Sequence, residues 1–292
     1  MNFERFAELH GLIIDSLVSD RWTRCSTVDH PHKKNGSYIY EGNKGAVQNW
    51  AVHDKPVVWF SEGDYKPDPH ESKKRQMALE ERKARQLKAT KKAGWIMHQA
   101  KPDTHPYLKR KGFEEEVGNV WRTEDGETLL VIPMRIGSKL VGCQLIDGEG
   151  HKKFLYGQQT KGASFVMDAK GIDIFCEGYA TALSIRAVMK SMKVRYAIHV
   201  CFSASNLKEV ARHFSGGIVV ADRDPNGVGE KAARETNKPY WLSDTVGEDF
   251  NDFHLRVGLF KAMGSLKKAV FSYGAGASNA GISPRSGAPV PV

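Results

Sequence analysis

The 292-residue chain has few of the features that would assign it to a class at once. Its four cysteines, Cys25, Cys143, Cys176 and Cys201, are isolated from one another. Isolated thiols argue against a disulfide framework and are typical of buried free cysteines in a reducing compartment. No apolar run reaches the roughly 18 residues of a membrane span. The acidic, amphipathic N-terminus is not typical of a signal peptide. We therefore expect a cytoplasmic protein without a membrane segment.

Two short motifs with well-defined chemistry are also missing. No Gly-x-x-x-x-Gly-Lys-Ser/Thr stretch occurs, which excludes the phosphate-binding loop of a helicase or ATPase. Any helicase that works with this chain would be a separate protein. A structural zinc site needs paired ligands at close spacing, and the first 64 residues offer a single cysteine, Cys25, with histidines such as His30, His32 and His53. We do not expect zinc here.

Positive charge is in excess, and much of it is concentrated in one segment. Lys and Arg number 43 against 34 acidic residues, a net charge of +9, which suits a polyanionic partner without establishing one. Between Lys73 and Lys92 there are nine Lys or Arg and two Glu, a composition that predicts a helix. This helix either lies along nucleic-acid phosphates or is a solvated linker between domains. The residues proposed for DNA binding are Lys73, Lys74, Arg75, Lys83 and Arg85.

Two short apolar runs stop abruptly at carboxylates. Glu177 follows Phe175 and Cys176, and the pair Asp222 and Asp224 follows a Val-Val-Ala run. Such runs predict buried parallel strands, and open α/β sheets place their chemistry outside the carboxyl ends of the strands. Three carboxylates at one edge repel one another unless a hard cation such as Mg²⁺ or Mn²⁺ neutralises them. The pattern therefore predicts a metal-dependent enzyme that acts on phosphates.

Strands and helices are predicted along most of the chain. The C-terminal half alternates between them, which indicates βαβ units and a parallel sheet. The predicted strands of that half are Ile172–Cys176, Arg195–Cys201, Ile218–Ala221 and Tyr240–Leu242, and its helices are Thr181–Met192, Asn206–Phe214 with a Ser205 cap, and Gly229–Thr236. Upstream strands are predicted at Leu129–Arg135, Lys139–Ile146 and His151–Leu155. Short antiparallel strands are predicted at Ser37–Tyr40, Gly45–Trp50 and Pro56–Phe60.

The carboxylate motifs also carry a family resemblance. Glu177–Thr181 reads Glu-Gly-Tyr-Ala-Thr and Asp249–Asp252 reads Asp-Phe-Asn-Asp, and residues 171–256 resemble a Toprim domain. Toprim domains are shared by bacterial-type primases, topoisomerases and some nucleases. The match is strongest to primase-like proteins of phages and plasmids. The segments at 132–135, 144–147 and 152–155 resemble the basic half of the catalytic core of those proteins. Many primases have a carboxylate where this chain has Thr181, a change shared by the phage and plasmid relatives.

The resemblance implies an α/β fold with several parts. We expect a Toprim parallel sheet with flanking helices, preceded by a mixed α+β basic subdomain and a small N-terminal β-rich module. The expected boundaries are 1–64 for a zinc-ribbon-like module without zinc ligands, 65–100 for a basic helical linker, 101–170 for the basic half of the core, 171–268 for the Toprim domain, and 269–292 for a disordered tail.

The implied function is that of a DNA primase, which joins ribonucleoside triphosphates on a single-stranded DNA template. In that role Glu177, Asp222 and Asp224 would be catalytic and would hold Mg²⁺ or Mn²⁺, and Asp249 would assist. Asp252 would either approach the metal or cap a helix that begins near Phe253. The expected nucleotide- and template-binding residues are Arg135, Lys152, Lys153 and Lys161.

Two alternatives stay open at this point. The same carboxylates would serve a nuclease that cleaves DNA. A catalytically idle protein could also bind single-stranded DNA by base stacking on Trp22, Trp50 or Trp59.

Overall fold

Three five-stranded sheets organise the residues that the computed structural model describes, 1–61 and 69–278. The chain divides into two compact units, residues 1–77 and 78–292. The first unit contains one sheet, and the second contains the middle and third sheets. Among the described residues, no helix is long and apolar enough to cross a membrane.

The first unit is an antiparallel sheet with one short helix. It comprises α1 (Phe3–Leu9), β1 (Leu12–Ile13), β2 (Thr23–Thr27), β3 (Gly36–Tyr40), β4 (Lys44–Asn49) and β5 (Val57–Phe60), with the strands in sequence order. Phe3 packs edge-on against Trp59 at 5.5 Å. A side chain at Gly45 would meet the Phe3 ring at 2.3 Å, so only glycine lets the helix pack this closely. The three strands predicted here are present, each within one residue at either end.

Two candidate residues of this unit lie in its core. Cys25 is buried among Leu12, Tyr38 and other apolar side chains, and burial raises the pKa of its thiol to about 11. Trp59 is also buried, and its indole N–H donates to the Met1 carbonyl. It therefore offers no ring face to a base. Trp22 and Trp50 are exposed, and the Arg24 guanidinium lies 4.0 Å from the centre of the Trp50 ring.

The predicted basic helix is α2 (Pro69–Gln99). Its C-terminal part does not behave as a solvated linker, because Ala89, Ala93 and Ile96 are buried against the middle sheet. Two small alanines one turn apart let the helix lie close to the strands. Arg85 also donates to the Tyr156 hydroxyl at 3.2 Å. Lys83 is exposed and is available for a partner.

The middle sheet is antiparallel, in the order β10-β9-β8-β7-β6. It contains β6 (Lys101–Asp103), α3 (Pro106–Arg110), β7 (Gly118–Arg122), β8 (Thr128–Ile136), β9 (Lys139–Ile146) and β10 (Lys152–Phe154). Side chains alternate between its two faces. Val131 and Cys143 face α2, whereas Leu130, Ile132 and Ile146 join the core of the third sheet.

The third sheet has the order β11-β13-β12-β14-β15. Four strands are parallel, and β11 is antiparallel to β13 at one edge. Its elements are β11 (Phe165–Met167), β12 (Ile172–Cys176), α4 (Tyr179–Ser191), β13 (Tyr196–Val200), α5 (Ala204–Ala211), β14 (Ile218–Val220), α6 (Val228–Arg234), β15 (Tyr240–Trp241), α7 (Phe250–Val257) and α8 (Leu259–Ser278). The predicted alternation of strands and helices is present.

Three details differ from expectation. The cap of α5 is Ser203, whose hydroxyl accepts from Asn206 N–H, and not Ser205. Helix α7 begins at Phe250 with Asp249 as its cap, so Asp252 caps nothing. Helix α8 runs ten residues into the segment expected to be a disordered tail, because Ala269 and Val270 extend its buried face. The rest of that segment, 279–292, lies outside the described residues.

Candidate active site

Glu177 stands at the carboxyl end of β12. Its backbone carbonyl accepts from Phe202 N–H at 2.9 Å, just after β13 ends. The side chain is partly buried, and the backbone N–H of Ala204 at the start of α5 lowers its pKa against the larger rise from burial. Its Oε1 atom is inaccessible to solvent and has no hydrogen-bond partner among the described residues. A partly satisfied carboxylate of this kind is costly unless a cation or a proton completes it.

Asp222 and Asp224 follow β14, the strand beside β12. The parallel register pairs Ile174 with Ile218 and Phe175 with Val219, so β12 and β14 end at the same edge of the sheet. Asp224 Oδ2 accepts from Gly229 N–H at 3.1 Å, in the first turn of α6. In the described residues Asp222 Oδ1 is buried without a partner. The two neighbouring strands therefore place Asp222 and Asp224 at the same edge as Glu177.

Asp249 reaches the same edge through a loop. The backbone of Arg223, between the two aspartates, accepts from Gly247 N–H at 2.6 Å and donates to the Glu248 carbonyl at 3.2 Å. These two bonds fix the loop that precedes α7 beside Asp222. Asp249 itself accepts from Asp252 N–H at 2.9 Å. Nothing in the sequence spacing indicates this pairing of loops.

The four carboxylates act on one another electrostatically. Burial raises the pKa of Asp222 to about 8, and the negative charges of Glu177, Asp249 and Asp224 add to the rise. Burial and then Asp224 raise the pKa of Glu177 to about 7. The ammonium of Lys152 opposes both shifts. Mutual repulsion of this kind is the electrostatic signature of a site that lacks positive charge.

Asp252 has a different role from Asp249. Its carboxylate pairs with the Lys111 ammonium at 3.0 Å. The neighbouring Asn251 is fully buried and donates to the Lys111 carbonyl and the Ser184 hydroxyl, both at 3.0 Å. These bonds hold α7 against α4 and the end of α3. The Asp-Phe-Asn-Asp motif thus contributes one acid to the carboxylate cluster and two residues that position it.

The predicted cations separate into different places. Lys152 Nζ lies 4.0 Å from where a Cβ on Gly178 would be, directly beside Glu177. Lys153 is the next residue of β10, so its side chain points to the opposite face of the middle sheet, where it lines a cavity with Trp95 and Trp121. Arg135 donates to the Ser138 carbonyl at 2.8 Å. Lys161 is exposed and lies 3.8 Å from Glu209.

Phe202 is a feature of this edge that sequence reasoning missed. Its φ of +70° lies in the left-handed region, which is uncommon for a bulky residue and marks local strain. Its N–H bonds the Glu177 carbonyl, and its ring meets Phe154 edge-on at 6.2 Å. The side chain is partly buried and packs against the apolar cores on both sides. No sequence pattern signals this conformation.

The carboxylate cluster has the donor chemistry of a hard divalent cation. Its oxygens are those that Mg²⁺ and Mn²⁺ prefer, and two of them are buried without partners. Among residues 1–61 and 69–278, no group of three or more His, Cys, Asp or Glu is arranged so that it could hold a metal ion as it stands. Asp224 and Asp249 each accept a hydrogen bond from a backbone N–H through one carboxylate oxygen.

The same edge lies in a segment with a family match. Residues 173–259 match the family described as the Toprim domain. These residues are a Toprim domain. Toprim domains bind divalent metals such as Mg²⁺, which agrees with the donor set at this edge.

Two solved structures from bacteriophage T7 are similar to part of the chain. One shows the lagging-strand DNA polymerase interacting with primase domains of two gp4 subunits bound to an RNA/DNA hybrid and dTTP. It matches at 16% identity and a TM-score of 0.40, over 56% of this chain and 85% of that chain. The other is the primase fragment of the primase-helicase protein, at 17% identity and a TM-score of 0.37, over 54% and 67%. Both likenesses are distant, and neither assigns a role to any residue here.

Proposed function

We propose that this chain is a DNA primase, which joins ribonucleotides into short primers on single-stranded DNA during phage or plasmid replication. The observation that supports the proposal best is the carboxylate cluster of the Toprim domain with Lys152 beside it. Acids alone would suit any metal-dependent phosphate chemistry. A cation supplied by a separate basic sheet adds a partner for a triphosphate.

The residues divide the work by their position. Glu177, Asp222 and Asp224 would hold a divalent ion, with Asp249 turning in from its loop. When bound, that ion supplies positive charge that activates the attacking 3′-hydroxyl and neutralises the leaving pyrophosphate. Lys152 would bind the phosphates of the incoming nucleotide. The exposed Arg135 and Lys161 are proposed to bind the template backbone, where they contribute orientation and not base recognition.

A nuclease remains the nearest alternative, since the same carboxylates would serve hydrolysis. The second alternative, an idle single-stranded DNA-binding protein, is favoured by the exposed Trp22 and by Trp50 with Arg24 over its ring. Aromatic rings beside cations are a common platform for unpaired bases. If the chain is a primase, a separate helicase would supply the single-stranded template.

One assay distinguishes these functions. The purified chain is incubated with single-stranded DNA, labelled ribonucleoside triphosphates and Mg²⁺ or Mn²⁺. New labelled oligonucleotides support a primase, shortened DNA supports a nuclease, and a gel shift alone supports the binding protein. The matched variants are Asp222→Asn at the cluster and Glu115→Gln at an exposed acid. Synthesis that survives Asp222→Asn would overturn the assignment of the site.

A further inference from the structure

The cavity that Lys153 lines lies on the face of the middle sheet that packs against α2. Its volume is about 520 Å³, within the usual range for small-molecule sites. None of the four acids of the carboxylate cluster lines it. The cavity is therefore a separate place from the proposed active site, and it contains Lys153, the cation that the structure removes from that site.

The floor of the cavity crosses four strands. Trp121 of β7 pairs with Leu129 of β8, and Leu145 of β9 pairs with Lys153 of β10. These four side chains share one face because strand residues alternate. The wall is α2, which contributes Lys92, Trp95 and Gln99. Their spacing of three and four residues places them on one side of the helix.

An indole pair forms the aromatic part of the cavity. Trp95 and Trp121 meet edge-to-face, with ring centres 5.7 Å apart and an angle of 84° between planes. Trp95 is 51% exposed although it lines the cavity. A large ring left half in solvent beside a cavity offers one face for stacking.

Charged side chains of both signs line the cavity. The turn between β7 and β8 contributes the acids Glu124, Asp125 and Glu127. Lys92 of α2 and Lys153 of β10 contribute ammonium groups. Neither lysine forms an ion pair or a side-chain hydrogen bond within the part of the chain that the structure describes.

The position of Lys92 is supported by a neighbour in β9. Burial raises the pKa of Cys143 to about 12, and the positive charge of Lys92 opposes that rise. Two other charged groups of the cavity already have partners. Arg122 pairs with Asp103 at 2.6 Å, and Asp147 accepts from His151 at 2.9 Å. Within the described residues, Lys92 and Lys153 are therefore the cavity's cations without an ion-pair partner.

We propose that this cavity binds a nucleotide whose base carries an exocyclic amino group. The base would stack on Trp95 against the edge of Trp121, with its amino group donating to Glu124 or Glu127. The phosphate would lie between Lys92 and Lys153, whose ammonium groups suit it as unpaired point charges. The nucleotide is either free in solution or part of a single strand, because both present the same base and phosphate.

The test measures binding without metal in an Asp222→Asn background, so that the carboxylate cluster does not contribute. Calorimetric titrations use the full-length variant with AMP, with UMP, and with a short oligodeoxyadenylate. Two further variants, Trp95→Ala and Lys153→Gln, are compared with Lys139→Gln, an exposed lysine of β9 outside the cavity. Circular dichroism checks that each variant is folded, and Trp95→Phe keeps a smaller ring in place.

We expect AMP or the oligonucleotide to bind, and UMP to bind more weakly than AMP because it lacks the amino group. Trp95→Ala should weaken binding at least about fivefold, the lower limit for one lost base stack, and Trp95→Phe should restore part of it. Lys153→Gln should weaken binding several-fold while Lys139→Gln does not. AMP binding indicates a free nucleotide, and binding of the oligonucleotide alone indicates a strand.

Absence of binding by either probe would overturn the proposal, as would binding that Trp95→Ala and Lys153→Gln leave unchanged. Because these titrations measure no synthesis, the result does not depend on whether the chain is a primase.

Discussion

The two faces of the middle sheet differ in the charged groups that surround their lysines. Toward the Toprim domain, Lys152 lies beside a group of carboxylates in which burial, and then the neighbouring negative charges, raise the pKa of Asp222 and Glu177. Toward α2, Lys153 lies in a cavity that acids, lysines and two indoles line together. The first arrangement calls for a compact cation, and the second suits a ligand with charges of its own. Adjacent residues of one strand therefore lie in different surroundings.

The largest effect should come from removing a carboxylate. Asp222→Asn or Glu177→Gln should reduce primer synthesis by more than about 100-fold, because each removes a metal-binding charge without a change in bulk. Mutation of a residue that only hydrogen-bonds a metal ligand already costs up to roughly 100-fold. DNA binding, measured by gel shift, should be retained or improved. Glu115→Gln serves as the control. Near-normal primer yield in either variant would contradict the role of this cluster.

The second prediction compares the two neighbouring lysines. Lys152→Gln should lower primer synthesis about tenfold more than Lys153→Gln does, since a charge-assisted bond to phosphate is worth on the order of 1.5–3 kcal/mol. Steady-state kinetics with varied ribonucleotide concentration would measure both. Equal losses would mean that the faces of the sheet do not divide the work as described.

The third prediction concerns pH in the absence of divalent metal. The pKa values of Asp222, about 8, and Glu177, about 7, are raised in the folded chain. The folded state therefore holds more protons than the unfolded state, and the free energy of unfolding falls as pH rises from about 4 to about 8. Asp222→Asn removes the larger shift and should raise the Tm at pH 8 by roughly 4 °C or more.

Thermal unfolding with a metal chelator would measure this effect, with Glu115→Gln as the matched control. Added Mg²⁺ should stabilise the unaltered chain at pH 8 and have little effect on the Asn variant. A lower Tm for Asp222→Asn under these conditions would show that its carboxylate is not under electrostatic strain.

The smallest effect is expected along α2. If this helix lies on the template, replacing Lys73, Lys74, Arg75, Lys83 and Arg85 with Gln should flatten the dependence of affinity on salt, at about 0.7 per lost phosphate contact. The side chains of Lys74 and Arg75 are outside those described. Arg85→Gln alone should also loosen the bond to Tyr156, whereas Lys83→Gln should change only DNA affinity. If the salt dependence of DNA affinity does not change, other basic residues must contact the DNA phosphates.

Local sequence determined the strands, the helices between them and the acids at the strand ends. The reason is that a buried parallel strand must be continuously apolar, so Ile172–Cys176 was placed without error at either end. The same reasoning placed Asp222 beside Glu177, since parallel neighbours end at one edge. The composition of the Gly- and Ala-rich C-terminus, by contrast, concealed the end of α8, because its buried face is recognisable only against the sheet.

Family resemblance indicated Asp249 as an assisting acid, but only the tertiary structure shows how it reaches the cluster. Two backbone bonds of Arg223 to a distant loop bring it there, and backbone bonds leave no pattern in side-chain identity. Phe202 has a φ in the left-handed region, which a bulky residue does not favour by itself, and its N–H bonds the Glu177 carbonyl. Lys152 and Lys153 are identical in chemistry and adjacent in sequence. Only the packing of α2 on one face of their sheet and the Toprim domain on the other gives them different surroundings.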